Sequence, residues 1–428
     1  MTHFGIICPT SDGHLNPMTT LGGELFRRGH QVTVFGFLDA KARTLASGLE
    51  FHPLAEDELP AGSVAESLSQ LGKLSGLAAF QYTIQAVAKS ANLLLKEAPR
   101  AIKNAGVDAL LVDQVSSAGG TIAEFLDIPF ITVCSALVLN QDSTIPPFCT
   151  SWQYRSNWGA RLRYQLGYQL LSVASKPIRQ VITEYRQNWK LPLYSNLNDA
   201  YSKLAQVSQQ PAEFEFPRTD LPPYLHFTGP YYQPGSRRPV PFPFEQLNGK
   251  PLIYASMGTL QNRLVGVFQQ IASACEGLDA QLVISLGGGA TLESLPKLPG
   301  NPIVVGYAPQ SELLQKATLT ITHAGMNTAL ESLSHGVPMV AIPVANDQPG
   351  VAARIAWTGV GEMIPLKQLS VPKLRTAITK VLTEGAYREK AIALQQAIER
   401  SGGVSKAADI IEQVILTEKP VLAEEQTF

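Results

Sequence analysis

A chain of 428 residues with a formal net charge of −1 is long enough for two or three domains and has no electrostatic footprint for nucleic acid. Charged residues make up 16%, against a usual share of about 25%. That fits a large protein with little surface per residue, or one with an apolar cleft or a membrane-facing patch. The four cysteines (Cys8, Cys134, Cys149, Cys275) are far apart and never form C-x-x-C, which argues against a zinc site or a disulfide framework and fits a reducing compartment.

The first nine residues contain too short an apolar run for a signal peptide. No stretch approaches the ~18–20 apolar residues of a spanning helix. The expected protein is cytoplasmic and soluble, at most peripheral to a membrane. Residues 4–8 read as a buried strand and 9–14 as a loop. Asn16-Pro17 is expected to open a helix, with Asn as N-cap and Pro in the first turn. Met18, Leu21, Leu25 and Phe26 give that helix an apolar face, Gly29 ends it, and 31–36 is the next strand of a βαβ unit.

Residues 61–104 are mostly helical in pattern. A second unit follows: strand 108–113, helix 117–126, strand 129–133. Residues 152–189 are aromatic-rich and helical in tone. Ten prolines between Pro211 and Pro251 then mark a connector. After it the alternation restarts, with strands at 251–256, 280–286, 302–305, 318–322 and 338–342. Helices are expected at 263–276, 309–316, 326–335 and 347–357, and amphipathic ones at 387–399 and 404–416. The fold class is α/β, with two Rossmann-like doubly wound domains facing a cleft. The expected bounds are a first domain over 1–225, a Pro-rich linker over 226–250, a second domain over 251–390, C-terminal helices over 391–418 packing back toward the first domain, and a polar tail over 419–428.

The informative stretch is 307–348. It holds Tyr307-Ala308-Pro309-Gln310, His323-Ala324-Gly325-Met326-Asn327-Thr328, Glu331 and Asp347-Gln348. The 323–328 turn lies between a strand and a helix, where backbone N–H groups and the helix N-terminus favour an anion. His323, Asn327 and Thr328 add side-chain donors. Glu331 follows Thr328 by one turn on the same face and can accept from both hydroxyls of a ribose. Tyr307 can stack on a base, and Asp347 and Gln348 can bracket sugar hydroxyls. Each residue alone would pass for an ordinary loop or helix residue; their order and spacing form one pattern.

That pattern resembles the signature box of UDP-dependent glycosyltransferases, enzymes of the GT-B fold. The resemblance implies that His323, Gly325, Asn327 and Thr328 hold the diphosphate, Glu331 the ribose, Tyr307, Ala308 and Gln310 the uridine, and Asp347 and Gln348 the sugar. Ser256-Met257-Gly258-Thr259 resembles the family's short loop toward the diphosphate, through Ser256 and Thr259. Tyr307, Met326 and the region of Val344 stand where plant members often carry Trp. Gly287-Gly288-Gly289 lacks the G-x-G-x-x-G spacing of a dinucleotide fingerprint. The resemblance implies a UDP-sugar donor, with UDP-glucose favoured by Asp347-Gln348, and no cofactor or metal.

Gly13-His14-Leu15-Asn16-Pro17 follows the first strand. His14 could cap or pack beside the helix start; a His with pKa near 6.5 could also take a proton from a hydroxyl at neutral pH. Asp113 ends a strand of the same sheet and could cap the next helix or orient that His. The resemblance favours His14 as general base and Asp113 as its partner, with inversion at the anomeric carbon. The acceptor belongs to the first domain, where Phe80, Tyr82, Phe148 and Trp152 could line a pocket, although core packing is the commoner role. The segment 152–168, with Arg155, Arg161 and Arg163, could instead rest on an anionic membrane surface. Similarity to macrolide and carotenoid glycosyltransferases implies a lipophilic, hydroxylated small-molecule acceptor. Two other readings remain: another GT-B enzyme (an epimerase, or a transferase building lipid or polysaccharide), or a sugar-nucleotide-binding protein without catalysis.

Overall fold

The computed structural model describes residues 1–74, 76–232, 240–258, 265–288 and 295–424. Thr259, the third glycine of the 287–289 run, the start of the expected 263–276 helix and the end of the tail lie outside them.

The first domain runs β1 (His3–Ile7), α1 (Asp12–Arg27), β2 (Gln31–Gly36), α2 (Lys41–Ala46), β3 (Glu50–Pro53), α3 (Ser63–Leu71), α4 (Gly76–Ala105), β4 (Ala109–Asp113), α5 (Gly119–Leu126), β5 (Phe130–Cys134), α6 (Trp158–Ala174), α7 (Lys176–Asn188), β6 (Gln206–Ser208) and β7 (Leu225–Phe227). Its strands form one parallel sheet in the order β3-β2-β1-β4-β5-β6-β7. β1 and β4 lie in the middle and are buried throughout, as apolar strands covered by helices on both faces must be.

The second domain runs β8 (Leu252–Ser256), α8 (Val265–Cys275), β9 (Gln281–Ser285), β10 (Ile303–Val305), α9 (Gln310–Leu314), β11 (Ala317–Thr322), α10 (Met326–Ser334), β12 (Met339–Ala341), α11 (Gln348–Trp357), β13 (Gly361–Met363), α12 (Val371–Thr383) and α13 (Gly385–Arg400). Its parallel sheet has the order β10-β9-β8-β11-β12-β13.

The chain then crosses back. Helix α14 (Gly403–Thr417) packs Ala407, Ala408, Ile411 and Val414 into the same apolar cluster as Met18, Leu21 and Leu25 of α1. Arg28 at the end of α1 donates to Asp409 and Glu412, each at 2.6 Å. The crossing passes the connector closely. Gly403 N–H donates to Thr228 O at 2.6 Å, and a Cβ on Gly229 would stand 2.8 Å from Cβ of Ser401. Gly229 also has φ +82, so a side chain there is excluded twice over.

Two expectations change. The first sheet continues through β7 to Phe227, past the expected boundary at 225. Helix α1 starts at Asp12, not at Asn16, with Ser11 in the N-cap position and Asp12 favourably placed at the positive helix end. Pro17 therefore sits inside the helix. It has no N–H for the Gly13 carbonyl, and Asn327 of the second domain supplies one instead, Nδ2 to Gly13 O at 3.1 Å.

Candidate active site

In each sheet the strand order reverses beside the first strand, at β1/β4 and at β8/β11. Ligands of open α/β sheets bind beyond the carboxyl ends of strands at such switch points. The strand ends there and the turns and helix starts that follow them carry His14 and Asp113 in the first domain, and Ser256 and His323 in the second.

His14 lies in the first turn of α1, with 19% of its side chain exposed. Its Nδ1 is 2.9 Å from Oδ2 of Asp113, which ends β4 and is fully buried. Asp113 Oδ1 accepts the Val115 N–H at 2.9 Å. A carboxylate only accepts, so Nδ1 carries the proton and Nε2 holds the free lone pair. Burial works against charging this imidazole, but the Asp113 carboxylate, with a smaller contribution from Asp347, raises its pKa above the ordinary value. Asp347 precedes α11, so the second domain sets a carboxylate within electrostatic reach of His14. Its own pKa is raised by burial, which His14 partly offsets.

His323 follows β11, and Ala324 turns the chain through φ +65 so that Gly325 caps α10. The imidazole is wedged between two glycines: a Cβ on Gly258 or Gly325 would stand 2.5 Å from ring atoms. Burial lowers its pKa to about 4, so it is a neutral N–H donor beside the helix N-terminus. Ser256 Oγ accepts from Gly258 N at 3.3 Å, and Thr328 is buried on the first turn of α10.

Tyr307 is 58% exposed, with its hydroxyl above Gly288, where an added Cβ would be 2.1 Å away. Ala308 packs at the edge of the Leu252, Tyr254 and Leu313 cluster. Gln310 donates to buried Glu331, Nε2 to Oε2 at 2.5 Å, and accepts from the Tyr254 hydroxyl at 3.2 Å. An open aromatic face thus stands beside a coupled carboxylate and amide. Gln348 turns its side-chain oxygen onto its own loop, accepting from Val344 N at 2.9 Å and Ala345 N at 3.1 Å.

The family described as UDP-glucoronosyl and UDP-glucosyl transferase matches residues 186–400. The zeaxanthin glucosyltransferase of Pantoea ananas is 34% identical, over 99% of this chain and 98% of its own. That of Pseudescherichia vulneris is 31% identical, over 97% and 98%. The chain belongs to the UDP-glycosyltransferase family. The crystal structure of the glycotransferase of kitacinnamycin matches at a TM-score of 0.75 with 23% identity, covering 96% of this chain and 98% of that one. The shared architecture is the GT-B fold.

In this glycosyltransferase Tyr82, Phe148 and Trp152, three of the four expected acceptor residues, pack against different neighbours. Phe80 and Tyr82 lie on α4; Tyr82 bonds Ser67 Oγ at 3.0 Å and packs with Leu71 and Ala345, next to the loop that carries Asp347. Phe148 packs on the second domain's Val351–Ile355 cluster, its carbonyl over Gly350. Trp152 is stacked on Tyr164, with Arg163 at 3.9 Å from its ring centre. Phe148 and Trp152 are both only partly buried.

Sequence reasoning missed Gln209. It is buried just after β6, and its Nε2 donates to Ser135 O and, at 2.8 Å, to Asn327 Oδ1. Both ends of the Asn327 amide are thus held by the first domain. Nothing in the local pattern marks a lone Gln after a three-residue strand.

The glycine wedge gives a direct test. Gly258 has φ +73, so Gly258→Ala both strains the backbone and displaces His323. Donor affinity is expected to fall roughly 10–100-fold, the worth of one hydrogen bond to a charged group. Calorimetric titration with UDP reads this, and unaltered affinity would refute the expected role of His323 as a diphosphate donor.

Proposed function

We propose that the enzyme transfers a hexose, with glucose favoured, from a UDP-sugar to a hydroxyl of a lipophilic small molecule, with inversion and with His14 as general base. The observation that carries this reading is the His14–Asp113 pair at one switch point, tied through the Gly13 carbonyl to Asn327 at the other. In this mechanism Nε2 of His14 removes the acceptor proton as the oxygen attacks the anomeric carbon in line. Asp113 holds the tautomer and stabilises the imidazolium. UDP leaves from the opposite face, so an α-linked donor gives a β-glycoside. The charge developing on UDP meets the α10 N-terminus and the donors of His323, Asn327 and Thr328. The reading calls for no metal, and the sequence has no Asp-x-Asp pair.

Glu331 would accept from the ribose hydroxyls, Tyr307 and Gln310 would hold the uracil, and Asp347 and Gln348 the hexose. A lipophilic acceptor is supported by the relatives, which are named for glucosylating zeaxanthin. Free cysteines at all four positions support a cytoplasmic location. The deciding experiment is an acceptor panel with UDP-glucose, read by product mass. A hexose adduct on a hydroxylated lipophile supports the reading; no adduct with any UDP-hexose would refute it. Glu331→Ala should weaken UDP-glucose binding by about tenfold or more while a saturated enzyme still turns over. Unaltered donor affinity in that variant would refute the ribose role.

A further inference from the structure

Helix α6 turns its inner face, through Tyr164 and Gly167, onto Trp152 and Pro147. On the opposite side Trp158, Leu162, Leu166, Leu170 and Val173 form a continuous stripe and are 50–81% exposed. Their spacing of three and four residues sets them on one face. A soluble surface rarely leaves so contiguous an apolar stripe without a use. The charge around it is one-sided. Between Asp142 and Glu184 the chain has no acidic residue and five basic ones, Arg155, Arg161, Arg163, Lys176 and Arg179, all exposed. By helical spacing Arg161 borders the stripe on one side; on the other, Arg163 turns its guanidinium back over Trp152.

We propose that α6 is a membrane-docking helix that lies in the interface of an anionic lipid bilayer. An apolar stripe bordered by Arg161 in a segment whose charges are all basic, with tryptophan at one end, is the physical pattern of a helix that lies in the headgroup plane. Among the described residues no helix is long and apolar enough to cross a membrane, so the contact is peripheral. The same charges disfavour a second copy of this chain as the occupant, because pairing two copies would bring like charges, Arg161 among them, toward one another. The inference rests on exposure and charge and holds whatever the acceptor is; vesicle binding is read without turnover.

The test is co-sedimentation of the full chain with vesicles of phosphatidylcholine and phosphatidylglycerol, and with phosphatidylcholine alone. Wild type is expected to pellet with the anionic vesicles and to be released by about 0.5 M salt, where the Debye length is a few ångströms. The emission of Trp158 should shift to the blue, and Trp158→Phe should abolish that shift. Leu166→Glu with Leu170→Glu changes two exposed positions, so folding should persist, checked by the thermal midpoint; its vesicle affinity should drop at least tenfold. Wild type that stays in the supernatant overturns the proposal, as does a double variant that binds equally well. A wild-type dimer that the double variant converts to monomer would overturn it too, by giving the stripe to a second copy.

Discussion

Replacing His14 with alanine is expected to lower kcat by about 10²–10⁴-fold, the range a positioned general base contributes, while UDP affinity stays nearly unchanged. The imidazole is partly exposed and, among the described residues, its side chain bonds to Asp113 alone, so the substitution removes the base without opening the core. The pH profile carries the same argument. The Asp113 carboxylate, against burial, holds the His14 pKa above its ordinary value, near 6.5. Only the neutral ring accepts a proton. The rate should therefore fall as pH drops through that raised pKa, and the acid limb of kcat should lie above about 6.5. Asp113→Asn removes the main influence raising it, so the limb should move to lower pH. The plateau should also fall, because an amide no longer dictates which ring nitrogen carries the proton. Initial rates across pH, with both substrates saturating, read all three quantities. Undiminished kcat in His14→Ala would end the proposed mechanism.

The two halves of the site were unequally legible in the sequence. The frame of residues 318–331 was readable because it is contiguous: an apolar strand, a short turn and a helix start follow one another within one βα step. His14 and Asp113 were readable for a related reason, since each follows a short, wholly apolar run that can only be a central strand. The start of α1 was not. Asn16-Pro17 has the local form of an N-cap and first turn, and the penalty for Pro17 inside the helix is relieved by Asn327, which bonds the Gly13 carbonyl across 314 residues. Strands β6, β7 and β13 have three residues each, too few to show a period of two. For Phe148 and Trp152 the sequence could not say what each packs on, because an aromatic side chain looks the same in a pocket and in a packed interface; the contacts with Gly350 and Arg163 are between segments far apart or out of helical phase.

Glu215→Leu is expected to destabilise the fold by about 3–5 kcal/mol, the cost of leaving buried charge unpaired. Glu215, Arg354 and Arg218 have side chains at most 2% exposed. Glu215 Oε1 accepts from Arg354 of α11, with Nε at 2.8 Å. Its Oε2 accepts from Gln210 Nε2 at 3.0 Å and Arg218 Nη2 at 3.4 Å. Arg218 also donates to the carbonyls of Val138 and Asn140, each at 2.7 Å, whereas Arg354 has Gly350 O at 3.0 Å and the face of Phe216. Leucine at 215 therefore leaves one guanidinium partly satisfied and the other with little. Glu215→Leu combined with Arg354→Leu should recover much of the loss, since an apolar pair of similar volume avoids the desolvation that the ion pair must overcome. The pair also gives the fold an acid limit. Despite burial, Arg354 and Arg218 hold the Glu215 pKa below its ordinary value; the stabilisation is present above about pH 4.3 and is lost as pH falls through the folded-state value. Urea and thermal midpoints of the two variants read the energies, and a single variant as stable as wild type would contradict the ion pair's role. The consequence reaches the site, because Arg354 belongs to the helix that begins at Gln348, one residue after Asp347. Loosening it from the first domain should raise KM for the donor before it lowers kcat.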